Sequence, residues 1–223
     1  MKVAATPIFL SHVLSKATPG FGGQSAFESE TVNSICSGKS SNSSKWTLSN
    51  HIGTHVDAPY HFSDAGETVD GFDAGFWVFQ APCVLDIRVG DAELIEPKDW
   101  ESLVSTNCDL LLLRTGFQKY RPDRKYWESN PGLSPEVGKW LREKRPSIRA
   151  IGFDFLSVTS FQHREIGRES HRALLDPARS GKPVLAIEDM DLSAIGKVLN
   201  RVWVAPLRVA HADGAPVTVL AWE

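Results

Sequence analysis

The chain has 223 residues, is 42% hydrophobic and 23% charged, and carries a formal net charge of -3, which suits one domain over 1–223 with one sizeable core. No long Lys/Arg run is present, which excludes nucleic acid or a membrane surface as the main partner and leaves a small molecule or a protein. Its three cysteines, Cys36, Cys83 and Cys108, form neither a disulfide framework nor a cysteine zinc site and fit a reducing cytoplasm.

In chain order, the opening "MKVAATPIFLSHVL" is interrupted by Pro7 and His12 and has no small-residue cleavage site behind an apolar run. No export signal is expected, and no stretch is long enough to span a bilayer. The Ser/Gly/Asn-rich "CSGKSSNSS" at 36–44 reads as a mobile loop and a candidate lid. Its Gly38-Lys39-Ser40 triplet is not a phosphate loop, because Asn33 stands where that motif needs glycine.

Next comes "SNHIGTHVDAPYHF" at 49–62, which holds three of the seven histidines. Gly53 and Pro59 oppose a helix, and an extended chain puts His51, His55, Asp57 and His61 on one side by parity. A straight strand would hold His51 and His61 roughly 33 Å apart, so the segment must bend to serve one site. Gly53 and Pro59 supply the places for that bend.

Downstream, the aromatic run "GFDAGFWVFQ" at 71–80 offers Phe72, Phe76, Trp77 and Phe79 either to an aryl pocket or to the core. Apolar runs then alternate with helix-like segments: "CVLDIRV" and "PKDWESLV", "DLLLLRTG" and "SPEVGKWLREK", "IRAIGFD" and "GRESHRALL", then "PVLAIED". The end of the chain reads as an antiparallel hairpin around Asp213-Gly214. The fold class is therefore α/β: a single domain with a mixed, largely buried β-sheet flanked by helices. Asp154 and Glu188 follow buried runs and become site candidates by position, Asp154 as the partner that orients a ligand histidine. Arg164, Arg168 and Arg172 recur at helical spacing, either as one solvated face or as a holder for a substrate carboxylate.

Imidazole and carboxylate are ligands for borderline or hard divalent metals, and His51, His55 and Asp57 supply three of them. A fourth position stays open for water, whose pKa a bound ion lowers from about 15.7 to about 7. The bland alternative is a structural polar loop. A serine or cysteine nucleophile is disfavoured, since no G-x-S-x-G elbow occurs and Cys83 and Cys108 lie in apolar runs.

The stretch "HIGTHVDAPYHF" resembles the histidine-rich motif of the cyclase superfamily that includes metal-dependent kynurenine formamidases. "IFLSHVL", "LLLLRTG", "IGFDFLSVTS" and "SHRALL" with "PVLAIEDM" extend the likeness over most of the chain. The resemblance implies the swivelling β/β/α fold of that superfamily. It also implies His51, His55 and Asp57 as metal ligands, Asp57 able to bridge two ions, His61 as proton shuttle, and His171 with Glu188 completing a second metal position. "DPARSGK" makes the spacing between His171 and Glu188 longer than the family pattern, and His163 competes with His171. By the same resemblance the expected activity is hydrolysis of an amide bond in a small aryl substrate. The cofactor would be zinc or manganese, as one or two ions, in a homodimer or larger homo-oligomer. A cyclase or lactone-opening activity and a non-catalytic metal-binding protein are the rival readings.

Overall fold

The alternating apolar runs become strands of one curled, mixed sheet in the computed structural model, which describes residues 6–223. In chain order the strands are β1 (Ile8–Phe9), β2 (Phe27–Asn33), β3 (Ser43–Leu48), β4 (His55–Asp57), β5 (Val78–Phe79), β6 (Pro82–Asp86), β7 (Leu94–Ile95), β8 (Leu110–Arg114), β9 (Gly132–Leu133), β10 (Ala150–Phe153), β11 (Leu185–Glu188), β12 (Arg201–Pro206) and β13 (Gly214–Trp222). The helices are α1 (Lys125–Glu128), α2 (Pro135–Lys144) and α3 (Arg164–Leu175). The nine-stranded main sheet runs β5-β12-β13-β4-β11-β10-β8-β6, with β1 along β13. Strands β6, β8, β10 and β11 are parallel, whereas β4, β13, β12 and β5 pair antiparallel, and the halves meet where β11 lies antiparallel to β4.

Strand β8 shows why the sheet needs cover on both faces. Leu110 and Leu112 enter one apolar cluster and Leu111 and Leu113 the other, the continuous apolar reading of a strand buried on both sides. Helices α2 and α3 cover one face through Val137, Leu141, Leu174 and Leu175. Among the described residues no α-helix covers the other; Val202, Val204, Val217 and Val219 of the antiparallel half fold over Leu110, Leu112 and Ile187. The helices therefore flank one face of the sheet.

Several expectations from sequence are corrected. "PKDWESLV" forms two short 3-10 turns, Pro97–Asp99 and Glu101–Leu103, because Trp100 takes a non-helical φ of -144° between them. Residues 36–44 close the β2–β3 hairpin, with Gly38 in the left-handed region and Ser43 and Ser44 already in β3. The C-terminal strands β12 and β13 do pair as an antiparallel hairpin, but the longer loop 207–213 joins them, and Gly214 already pairs with Asp57 in the sheet. The "DPARSGK" segment is a pinned loop: the buried Arg142 guanidinium donates to the carbonyls of Asp176, Arg179 and Gly181 at 2.9, 2.8 and 2.7 Å. Among the described residues, no helix is long and apolar enough to cross a membrane.

Candidate functional site

The site forms at the junction of the two sheet halves. Antiparallel register sets His55 opposite Glu188 and Asp57 opposite Ala186, so His55, Asp57 and Glu188 share one face. Upstream, Gly53 turns the chain with φ +62°; a Cβ there would meet Leu14 Cδ2 at 2.5 Å. Downstream, Pro59 opens the 3-10 turn Pro59–His61, its fixed φ suiting the first position of a turn. These bends bring the His51 and His61 rings to 4.0 Å between centroids, as the spacing of the motif requires. His171 arrives on α3, where its Nδ1–H donates to Gly167 O one turn earlier at 2.8 Å.

Glu188 is held by the loop after β10, accepting from Val158 N at 2.7 Å and Ser157 Oγ at 3.2 Å. The next residue, Asp189, takes φ +50°, a conformation that non-glycine residues adopt only when their surroundings enforce it. Arg121 and Tyr126 enforce it here: Tyr126 Oη donates to Asp189 Oδ1 at 2.5 Å, and Arg121 Nη2 donates to Oδ2 at 2.8 Å.

Donor atoms converge on the buried carboxylates of Asp57 and Glu188, which are 1% and 4% exposed. His55 commits Nδ1–H to Gly53 O at 2.8 Å and turns Nε2 to Asp57 Oδ1 at 3.4 Å and Glu188 Oε2 at 3.3 Å. His171 Nε2 faces Asp57 Oδ2 at 3.5 Å and Glu188 Oε1 at 3.7 Å. His51 Nδ1 lies 2.8 Å from Asp57 Oδ1. Two ligand groupings result, His55–Asp57–Glu188 and His51–Asp57–His61, and Asp57 belongs to both.

Titration follows the same geometry. Burial works to lower the imidazole pKa of His55, yet hydrogen bonds to Asp57 and Glu188 outweigh it and hold that pKa well above its ordinary value. The same balance, with burial opposed by Asp57 and Glu188, raises His171 to about 10. His51 is raised too, Asp57 and Asp213 overcoming its burial. Against burial, hydrogen bonds from His171, His51 and His55 hold Asp57 well below the carboxylate range. Glu188 is lowered by His171 and His55 despite burial and the Asp57 charge. Two buried carboxylates facing three imidazoles make a charged donor set, and with both Nδ1 atoms of His55 and His171 spent on backbone carbonyls, their Nε2 atoms are the positions where a divalent cation would replace a proton.

These donors line a cavity of about 350 Å³, walled further by Phe21, Phe62 and Leu156, with Arg164 and Arg168 of α3 along it. The face shared by the three arginines is thus divided: Arg172 lies off the cavity beside Glu169, and Arg168 pairs with Glu165. Arg164 stacks its guanidinium over Phe161 at 4.2 Å.

Other candidates fall elsewhere. His163 is exposed ahead of α3 and outside the cavity, which leaves His171 as the later histidine that joins His55 beside Glu188. Asp154 orients no histidine; it accepts from Thr115 N, Thr115 Oγ1 and Gly116 N at 2.8, 2.6 and 2.7 Å, because its parallel neighbour β8 turns there. Trp77 and Phe79 are core, with Phe72 and Phe76 packed against them, so the aromatic run does not wall the cavity. Residues 36–44 do not line it either; Pro19, Gly20 and Phe21 do.

Sequence reasoning missed Asp213, which it treated only as a turn residue. Asp213 Oδ2 accepts from His51 Nε2 at 2.9 Å and His61 Nδ1 at 2.8 Å, and these bonds hold its carboxyl below the usual range against partial burial. The available signal was an Asp-Gly pair ending a loop before a strand, which carries no hint of a histidine partner.

Comparison with known proteins adds four findings. The Cyclase family model matches residues 8–160. Kynurenine formamidase of Bacillus cereus is 31% identical over 210 residues, covering 94% of each chain. Isatin hydrolase A from Labrenzia aggregata, solved with benzyl benzoate, superposes with a TM-score of 0.78 at 23% identity over 97% of this chain and 93% of that one. A predicted metal-dependent hydrolase from Bacillus stearothermophilus gives 0.74 at 20% identity, covering 98% of both chains.

Proposed function

The chain belongs to the cyclase family, and from that premise we propose that it is a metal-dependent hydrolase cleaving an aryl formamide-type amide bond in a small molecule. One observation carries the reading: the donor cluster forms the floor of a cavity instead of lying sealed in the core. A structural site would be closed by protein ligands on every side. The formamidase and hydrolase likenesses support the reaction class.

His51, His55, Asp57, His171 and Glu188 would hold one or two divalent ions, zinc or manganese, with Asp57 between the two groupings. When bound, such an ion supplies Lewis acidity and brings the pKa of water toward neutrality. The remaining work falls to the protein. His61 donates Nδ1–H to Asp213, so its Nε2 carries the lone pair; there it takes a proton from the attacking water and returns it to the leaving nitrogen. Phe21, Phe62 and Leu156 pack the aryl ring and exclude bulk water. Arg164, free of any carboxylate partner among the described residues, receives an anionic substituent of the substrate.

The test pairs metal analysis with hydrolysis assays on N-formylkynurenine, simpler aryl formamides and a lactone panel. Chelation should abolish formamide hydrolysis and one added metal should restore it; turnover that survives chelation defeats the proposal, and turnover confined to lactones replaces the amide by an ester. His61→Ala should keep its metal while kcat falls about 10²-fold or more. Loss of metal in that variant would make His61 a ligand, as the His51–Asp57–His61 grouping also permits.

A further inference from the structure

We propose that Asp213 is a positioning residue that sets the imidazole tautomers of two histidines at once, placing the His51 proton on Nε2 and the His61 proton on Nδ1. The part that concerns turnover rests on the hydrolase reading above; the part that concerns metal binding does not.

A carboxylate only accepts hydrogen bonds, so each ring nitrogen that meets Asp213 must carry a proton. One oxygen, Oδ2, meets both: His51 Nε2 at 2.9 Å and His61 Nδ1 at 2.8 Å. The rings lie 4.0 Å apart and 32° from parallel, which lets a single oxygen serve the two. They are bound through opposite nitrogens, so the consequences differ. His51 Nδ1 lies 2.8 Å from Asp57 Oδ1 and by the same argument carries a proton there; a cation shared with Asp57 would take that proton's place, leaving the one on Nε2 that Asp213 holds. His61 is left with Nε2 bare, the atom that must accept a proton.

Asp213 is itself fixed from three directions. Its other oxygen accepts from Asn50 Nδ2 at 2.5 Å, and its backbone carbonyl accepts from Ala58 N at 2.9 Å. The next residue, Gly214, is paired with Asp57 in the sheet. The carboxylate therefore hangs at the junction of β13 with β4, the strand that carries His55 and Asp57, and its placement is part of the sheet register. Asn50, adjacent to the motif, acquires a role as its anchor.

Asp213→Ala is the test, read in four ways. Zinc titration by calorimetry, with no substrate present, should show affinity weakened by about tenfold or more, the usual consequence of removing the partner of a ligating histidine. Long-range proton–nitrogen NMR of the zinc-loaded protein should show His61 protonated on Nδ1 in the parent and a mixture of tautomers in the variant. At saturating zinc, kcat should fall about 10²-fold with KM within twofold, since the loss is in proton transfer and not in substrate contact. In a His61→Ala background, Asp213→Ala should cost no further kcat yet still weaken zinc binding. Asp213→Asn keeps one acceptor oxygen, especially if the Asn50 amide flips to meet it, and should fall between parent and alanine; it carries the same comparisons if the alanine variant does not fold. Unchanged zinc affinity, an unchanged tautomer, or an equal kcat loss with and without His61 would each overturn the assignment. Because the calorimetry and the spectra need no turnover, they stand apart from any failure of the amide-hydrolase reading.

Discussion

Replacing Gly214 by alanine probes how tightly the site depends on the approach of β13 to His51. An ideal Cβ on Gly214 would stand 2.4 Å from His51 Cε1, 3.0 Å from His51 Nδ1 and 2.9 Å from Val56 O. Ordinary contact begins at 3.4 Å, so the ring must retreat by about 1 Å, and the carbonyl contact adds a smaller shift of β4. The backbone itself accepts alanine, because Gly214 is not among the positive-φ glycines and sits in regular pairing with Asp57. The cost therefore concentrates on the contacts of His51 with Asp57 and Asp213, now 2.8 and 2.9 Å. A displacement of order 1 Å costs about 10²-fold in turnover, and overpacking costs about 1–3 kcal/mol in stability. Zinc calorimetry, hydrolysis at saturating zinc and urea unfolding measure the three effects. A folded Gly214→Ala protein whose zinc affinity and kcat both stay within twofold of the parent would refute the reasoning, since the ring would then have room the geometry denies it.

Two further perturbations separate specificity from stability. Arg164→Met should raise KM for N-formylanthranilate about tenfold or more, the value of one charge-assisted hydrogen bond, while leaving uncharged formanilide within twofold; equal changes for both would remove the anion role. Arg142→Ala should lower unfolding free energy by about 3 kcal/mol in urea titrations, because it strips the donor from the carbonyls of Asp176, Arg179 and Gly181. Zinc affinity should change little in that variant, the pinned loop lying away from the cavity, and a stability loss below about 0.5 kcal/mol would show that water replaces the guanidinium at no cost.

What the sequence determined by itself was local. The parity of His55 and Asp57 and the bends at Gly53 and Pro59 follow from backbone geometry within a dozen residues, and the folded chain keeps them, while His51 and His61 lie outside the strand, in the bend and the 3-10 turn. The buried strands were legible for the same reason, since runs such as "LLLL" have no alternative to a place between two apolar layers. Only the tertiary structure decided which distant groups meet that segment. Sequence position marked Asp154 and Glu188 equally, but β10 pairs with β8 and sends Asp154 to the Thr115 turn, whereas β11 pairs with β4 and sets Glu188 opposite His55. Asp213 stood 152 residues from His61 with no local sign of its role, and reached it because Gly214 pairs with Asp57. Strand order and register are chosen by the summed packing of both sheet faces, a quantity to which each residue contributes little and which no short window of sequence contains.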